Sequence, residues 1–156
     1  MTSWQFSIAT MRYFSWIVIC IATLGCTLGC GDGRPQRVPV SGRVLIDGEP
    51  VVHGNIRVFP ENARAASGQL GPDGRFELTT YDRGDGCVLG THVVTINALE
   101  PINANSQRWH APHKYREIGT SGLTLEVTEA TDTVEILLTW DGGKPFIERS
   151  GTAGGD

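Results

Sequence analysis

Apolar and polar residues alternate along most of this 156-residue chain, and that pattern limits the possible folds more than any other feature. From residue 38 onward, Val40, Val44 and Ile46 fall on one side of an extended backbone, whereas Arg43 and Asp47 fall on the other. A period of two is typical of half-buried strands, and no segment of this region has the period of about 3.6 residues of an amphipathic helix. We therefore predict an all-β domain.

Turn sequences divide this domain into short strands. Asp-Gly-Glu-Pro at 47–50 and Gly-Pro-Asp-Gly at 71–74 contain the glycines that supply positive φ in tight hairpins. Strands spaced by such turns predict an antiparallel, seven-stranded sandwich over residues 38–140. A domain of this size buries about 60% of its extended-chain surface, which is enough to fold without a disulfide. Residues 141–156 are rich in Gly and poor in apolar residues, so we expect a flexible tail.

The N-terminal region differs from the rest of the chain because it holds a long apolar run, residues 16–24. The run is too short for a membrane-spanning helix, which needs about 20 residues, but it suits the hydrophobic region of a secretory signal. Met11 followed by Arg12 makes a better start than residues 1–10, which carry no charge. We predict a signal-peptide helix within residues 1–29, and Met11 is its favoured first residue.

The end of this leader contains the sequence Leu-Gly-Cys twice, at Cys26 and at Cys30. It resembles the lipobox of bacterial lipoproteins, although Thr23 and Thr27 stand where that family prefers Leu. The resemblance implies cleavage just before a cysteine whose thiol is diacylated, and two acyl chains anchor a protein stably. Cys30 is the favoured lipidation site because residues 30–37 then form a polar tether, and Cys26 is the alternative. An ordinary secretory signal with incidental cysteines, or a buried apolar helix, would leave the chain without an anchor.

The strands and turns also resemble a known family. The motifs are Val-Ser-Gly-Arg-Val at 40–44, Asp-Gly-Glu-Pro at 47–50, Asp-Gly-Arg-Phe at 73–76 and Gly-Thr-His-Val-Val-Thr-Ile at 90–96. They are similar to the carboxypeptidase regulatory-like, transthyretin-like domain over residues 38–98, and residues 123–140 fit its closing strands. His92 is a departure, because the family often has Tyr there. The resemblance implies an immunoglobulin-like β-sandwich that acts as a non-catalytic accessory module.

Residues 99–120 lack a regular alternation and are long for a loop of a compact domain. Loops longer than about 12–15 residues are usually functional or disordered. Trp109 and Tyr115 have the rigid, amphipathic character of interaction hot spots, and together with His110 and His113 they make up a predicted binding loop. The alternative for Trp109 is that it pins the loop onto the sandwich.

A metal site in the same loop is a second interpretation. His110 and His113 could share an ion with a carboxylate such as Glu117, because imidazole and carboxylate suit zinc or copper. Pro112 lies between the two histidines and opposes a helical spacing, and such histidines are more often packing residues. We therefore predict no metal and no cofactor, and we keep a metal or small-ligand carrier using residues 99–120 as the alternative function.

The sequence contains no recognisable catalytic constellation. Ser121 does not lie in a Gly-x-Ser-x-Gly nucleophile elbow, and Asp82 and Asp85 oppose formation of a thiolate at Cys87. We predict a protein that is not an enzyme, with Cys87 as a free, partly buried thiol. A secreted hydrolase is the less favoured alternative.

The formal net charge of -4 argues against a nucleic-acid binder, which usually presents a basic surface. The leader and the strand pattern, together with the lack of a catalytic constellation, predict a lipid-anchored module of the cell envelope that faces the periplasm or the exterior. We expect it to be structural or to bind an envelope protein or a glycan, with the membrane as its other partner.

Overall fold

The computed structural model describes residues 33–149. The predicted signal peptide, the proposed start at Met11, and both candidate lipidation sites, Cys26 and Cys30, lie outside this range. Within it the backbone forms strands and a 3-10 helix at His113–Arg116, which confirms the all-β prediction. In residues 33–149 no helix is both long and apolar enough to span a membrane.

The described residues form thirteen strands in several sheets, whereas seven strands were predicted. In chain order they are β1 (Arg37–Val38), β2 (Val40–Ile46), β3 (Glu49–Pro50), β4 (Asn55–Phe59), β5 (Ala66–Gln69), β6 (Arg75–Glu77), β7 (Cys87–Val88), β8 (Gly90–Asn97), β9 (Leu99–Asn103), β10 (Ser106–Trp109), β11 (Leu123–Val127), β12 (Thr131–Leu138) and β13 (Phe146–Arg149).

The first large sheet is antiparallel and has the strand order β11-β8-β4-β5. On β4 the predicted alternation is confirmed, because Ile56 and Val58 are buried while Arg57 is exposed. The register pairs Asn55 with Asn97 and Arg57 with Thr95 across β4 and β8. The outward face of these two central strands therefore carries polar side chains.

The second large sheet has β2 at its centre, between β12 on one side and both β3 and β6 on the other. The strands β2 and β12 run parallel, so the prediction of an entirely antiparallel sandwich was wrong for this pair. The reason is the connection after β11. It carries the chain from the first sheet to the second, where β12 arrives in the same direction as β2 instead of folding back on β11.

A glycine allows these two parallel strands to approach each other closely. Gly42 lies opposite Val134, at the point where the register of β12 shifts. A Cβ atom at Gly42 would stand only 2.1 Å from the backbone oxygen of Val134, which is far inside van der Waals contact. This contact gives a physical reason for the glycine in the Val-Ser-Gly-Arg-Val strand.

The inward residues of both large sheets form one apolar core. Its largest completely buried side chains include Ile56, Leu78 and Ile96, and burial of each such side chain contributes about 1.5–3 kcal/mol. His92 faces this core as predicted, and its Nε2 lies 2.8 Å from the carbonyl oxygen of Val88. The sandwich is thus held together by aliphatic packing from two facing sheets.

The thiol of Cys87 belongs to the same core and is more deeply buried than predicted. It forms no disulfide within residues 33–149. Burial, together with the negative charge of Asp85, raises the pKa of Cys87 to about 11. The thiol form therefore dominates at neutral pH, and Cys87 is a packing residue.

A small third sheet, with the order β13-β10-β9, was not predicted. Residues 99–109 form the hairpin of β9 and β10 rather than an irregular loop, and Phe146–Arg149 pair with β10 instead of lying in a flexible tail. The alternation that reveals the other strands is weak here. All four residues of β13 are exposed, and Trp109 is the one fully buried residue of β10.

Candidate functional site

A groove of about 760 Å³ lies over the polar face of β4 and β8. Its lining comes from three parts of the domain, namely these two strands, the β9–β10 hairpin, and the end of the 3-10 helix with the segment that follows it. The lining residues are Asn55, Arg57, Phe59, Thr95, Asn97, Leu99, Gln107, Trp109, Arg116, Glu117, Ile118 and Gly119. Its volume falls in the range of about 300–1,000 Å³ that is usual for ligand sites.

The polar residues on β4 and β8 give the groove its chemistry. Asn55 and Asn97 lie directly opposite each other on β4 and β8, and both are half-buried. Within residues 33–149, neither side-chain amide makes a hydrogen bond to another residue, so both retain their donors and acceptors for a ligand. Beside them, the guanidinium of Arg57 lies over the ring of Phe59, 4.9 Å from its centroid. The groove thus offers planar polar groups next to an aromatic ring.

Trp109 lines this groove but is only 2% exposed, because it is also the packing centre of the third sheet. Its indole N–H donates to Oε2 of Glu148 over 2.8 Å, which ties β10 to β13. The ring packs edge-on against His113, with 4.1 Å between centroids, and stacks near Phe146. Trp109 therefore fits the alternative of a residue that pins its segment in place.

The carboxylate of Glu148 connects β13 to β10 through two hydrogen bonds. It accepts hydrogen bonds from the side-chain amide of Gln107 over 2.7 Å and from the indole of Trp109. These two bonds lower the pKa of Glu148 below its ordinary value, and the nearby His113 and Arg116 add to the effect. Glu148 is therefore ionised at neutral pH and holds the two strands together through its charge.

Tyr115 is also a structural residue. It is 4% exposed, and its hydroxyl donates to the carbonyl oxygen of Thr139 over 3.2 Å and accepts from the backbone N–H of the same residue over 3.1 Å. Tyr115 thus fastens the 3-10 helix to the residue just after β12. Burial leaves Trp109 and Tyr115 little surface for a macromolecular partner.

His110 lies away from His113, in a separate cluster with His53 and Glu100. The Nε2 atom of His110 is 2.9 Å from Oε2 of Glu100, and Nε2 of His53 is 3.9 Å from Oε1 of the same carboxylate. The two imidazole rings are 4.7 Å apart between centroids. The bond from His110 is the main cause that lowers the pKa of Glu100, and Arg108 contributes to the shift.

The alternative grouping of His110, His113 and Glu117 around one ion is therefore not formed. His113 packs against Trp109, and Glu117 accepts a hydrogen bond from Arg116 over 3.0 Å. The sequence signal for the observed cluster is weak, because His53 and Glu100 are isolated polar residues that the fold brings together from distant segments.

No serine or cysteine is hydrogen-bonded to a histidine side chain in the described part of the chain, residues 33–149. The hydroxyl of Ser121 accepts a backbone hydrogen bond from Leu123 over 3.4 Å, and the thiol of Cys87 is enclosed in the core. The hydrogen bonds of these residues thus provide no support for the hydrolase alternative.

Two candidate sites result from this geometry, the polar groove and the cluster of His53, Glu100 and His110. Both border the β9–β10 hairpin, the groove through Leu99 and Gln107 and the cluster through Glu100. The groove is lined by polar, aromatic and apolar groups, whereas the cluster brings together three potential metal ligands. Comparisons of the chain with protein-family models, with curated proteins and with solved structures found no match.

Proposed function

We propose that this chain is a lipid-anchored β-sandwich module of the bacterial cell envelope that binds a glycan in the polar groove and catalyses no reaction. The anchor is supported by the two Leu-Gly-Cys sequences, of which Cys30 is the favoured lipidation site and Cys26 the alternative. The resemblance of the strand motifs to the carboxypeptidase regulatory-like, transthyretin-like domain supports an accessory role.

The observation that carries the binding proposal is the pair of free amides on β4 and β8. Asn55 and Asn97 each offer a donor and an acceptor, and every sugar hydroxyl can act as both donor and acceptor. The adjacent Arg57 and Thr95 extend this polar strip along the same two strands. A ligand that is rich in hydroxyl groups would satisfy more of these groups than an apolar ligand would.

The aromatic rings that line the groove are largely covered, which favours a glycan over a protein partner. Protein interfaces usually depend on large apolar or aromatic anchors that a partner can cover. Here Trp109 is nearly buried, and the ring of Phe59 is covered on one face by Arg57. A sugar needs only a small aromatic surface for its C–H groups, since most of its contacts are hydrogen bonds.

The proposed anchor and groove would act together. A diacylated cysteine would hold the domain at a membrane surface, since two acyl chains bind a bilayer stably. Envelope polysaccharides are concentrated near such a surface. The residues between Cys30 and β1, which begins at Arg37, would then determine how far the groove can reach.

Binding of envelope-derived oligosaccharides to the purified full chain tests the groove. We expect Asn55→Ala and Asn97→Ala each to weaken the binding about fivefold, because one net hydrogen bond contributes about 1 kcal/mol. The matched control is Asn105→Ala, an exposed asparagine in the turn between β9 and β10 that does not line the groove. Equal losses for all three variants, or capture of an envelope protein with no glycan binding, would contradict the proposal.

Incorporation of labelled palmitate in cells tests the anchor separately. Loss of the label with Cys30→Ala would support the proposed site, whereas loss with Cys26→Ala alone would move the anchor to that residue. Unchanged labelling in both variants would overturn the assignment to these two cysteines, and absence of label in the wild type would rule out a lipoprotein while leaving the glycan proposal intact.

A further inference from the structure

We propose that His53, Glu100 and His110 form a binding site for a divalent transition-metal ion, and that Zn²⁺ is the ion that fits the donor set. Two imidazoles and one carboxylate are the ligands that zinc uses in many open, three-ligand protein sites. The cluster shares no residue with the lining of the groove, so this proposal is independent of glycan binding.

The distances between the ligand atoms are close to those that an ion requires. One ligand atom from each of the three residues lies within 4.8 Å of the other two. In a tetrahedral site with zinc–ligand distances of about 2.0–2.1 Å, neighbouring ligand atoms are about 3.4 Å apart. Side-chain rotations of His53 and Glu100 would therefore have to bring the ligand atoms closer together to complete the site.

The backbone around the cluster is held in place by bonds that do not involve the ligands themselves. The N–H of His110 donates to the carbonyl oxygen of Ala98 over 2.9 Å, which fixes the end of β10. Next to His53, Gly54 has a φ of 107°, and a Cβ atom there would stand 1.9 Å from the oxygen of Asn97. Gly54 thus allows the loop that carries His53 to approach the end of β8.

The cluster is also reachable from solvent. The side chains of His53, Glu100 and His110 are 43%, 30% and 21% exposed, so an ion can enter without opening the domain. Three protein ligands leave a fourth tetrahedral position for water, as in zinc sites that exchange a ligand.

Arg108 is the neighbour that limits the affinity of the site. Its Nη1 lies 3.1 Å from Oε2 of Glu100, so it orients the carboxylate while Oε1 faces His53. A hydrogen-bonding partner of this kind is common around metal ligands. The charge of the guanidinium also repels a cation, which makes the site weaker than one without it.

Calorimetric titration of Zn²⁺ into the full chain tests the proposal, after the accessible thiols have been alkylated so that leader cysteines cannot bind the ion. We expect His53→Gln, Glu100→Gln and His110→Gln each to weaken zinc binding by more than about tenfold. Replacing a residue that only hydrogen-bonds a metal ligand already lowers metal affinity by about that factor. The matched control is His113→Gln, which removes a half-exposed imidazole outside the cluster and should leave the affinity unchanged.

Thermal unfolding of the same proteins separates loss of the site from loss of the fold. Zinc should raise the midpoint of unfolding in the wild type and in His113→Gln but not in His110→Gln, whose metal-free midpoint should stay close to that of the wild type. Absence of zinc binding in the wild type, or an equal loss of affinity in His113→Gln, would overturn the proposal. Glycan binding would be unaffected by either result.

Discussion

The sandwich core and the third sheet are stabilised by different interactions. In the core, aliphatic side chains such as Ile56 and Leu78 are completely buried between two sheets. In the third sheet, every residue of β13 is exposed, and the strands are joined through Glu148, which accepts hydrogen bonds from Gln107 and Trp109. Apolar burial therefore maintains one region, and an ionised carboxylate bound by two donors helps to maintain the other.

This difference indicates which parts of such a domain offer polar groups to a ligand. Apolar packing has no directional requirement and leaves no polar group for a ligand. Hydrogen bonds to carboxylates are directional, and they position the hairpin that borders both candidate sites. The core thus makes the fold stable and fixes the strands that carry Asn55 and Asn97, while the position of the β9–β10 hairpin depends on a smaller, polar set of contacts.

The largest expected effect tests the core. Ile56→Ala removes part of a side chain that is 0% exposed and leaves a cavity, so the free energy of unfolding should fall by about 2–5 kcal/mol. Urea denaturation followed by circular dichroism would measure this loss. Ile147→Ala is the matched control on β13, where the side chain is 50% exposed, and it should change the stability by less than about 0.5 kcal/mol. Equal losses would contradict the division between the two regions.

A smaller and more local effect is expected at Trp109. Trp109→Phe keeps an aromatic ring but removes the N–H that donates to Glu148, so the stability should fall by about 1 kcal/mol. Hydrogen exchange should become faster in β9, β10 and β13 and remain unchanged in β4 and β8. Faster exchange throughout the first large sheet would show that Trp109 supports the core directly. Trp140→Phe, at a tryptophan packed against the core, provides the comparison.

The smallest effect is a dependence on pH confined to the third sheet. Hydrogen bonds from Gln107 and Trp109 lower the pKa of Glu148, so their stabilisation is present above the ordinary carboxyl pKa of about 4.3 and is lost as the pH falls through the lowered pKa. The indole N–H signal of Trp109 in NMR spectra should shift with a midpoint below that value. Glu148→Gln should abolish the shift, and a midpoint at or above about 4.3 would contradict the interpretation.

The strands of the two large sheets were predictable because each has one buried face. Alternation along β2 and β4 and the glycines of the turns identify these elements locally. The third sheet lacks this signal, since Phe146–Arg149 is exposed on both faces. The parallel pairing of β2 with β12 was also beyond local reasoning, because it depends on which sheet the chain joins after β11.

The candidate sites were only partly predictable. The alternation places Asn55 and Arg57 on the outward face of their strand, but nothing in the sequence pairs Asn55 with Asn97. Likewise, His110 is recognisable as a potential ligand, whereas its partners His53 and Glu100 belong to other segments. Residue types therefore identify possible chemistry, and only the register shows which groups meet.

The sequence by itself determined the class of fold, because the period of two and the turn glycines are local properties of the chain. It also contains the Leu-Gly-Cys motifs on which the proposed anchor rests. Only the tertiary structure decided that Trp109 and Tyr115 are packing residues, that two amides face one groove, and that two histidines share a carboxylate. The physical reason is that burial and contact between distant residues depend on how the sheets pair and pack, which no local pattern specifies.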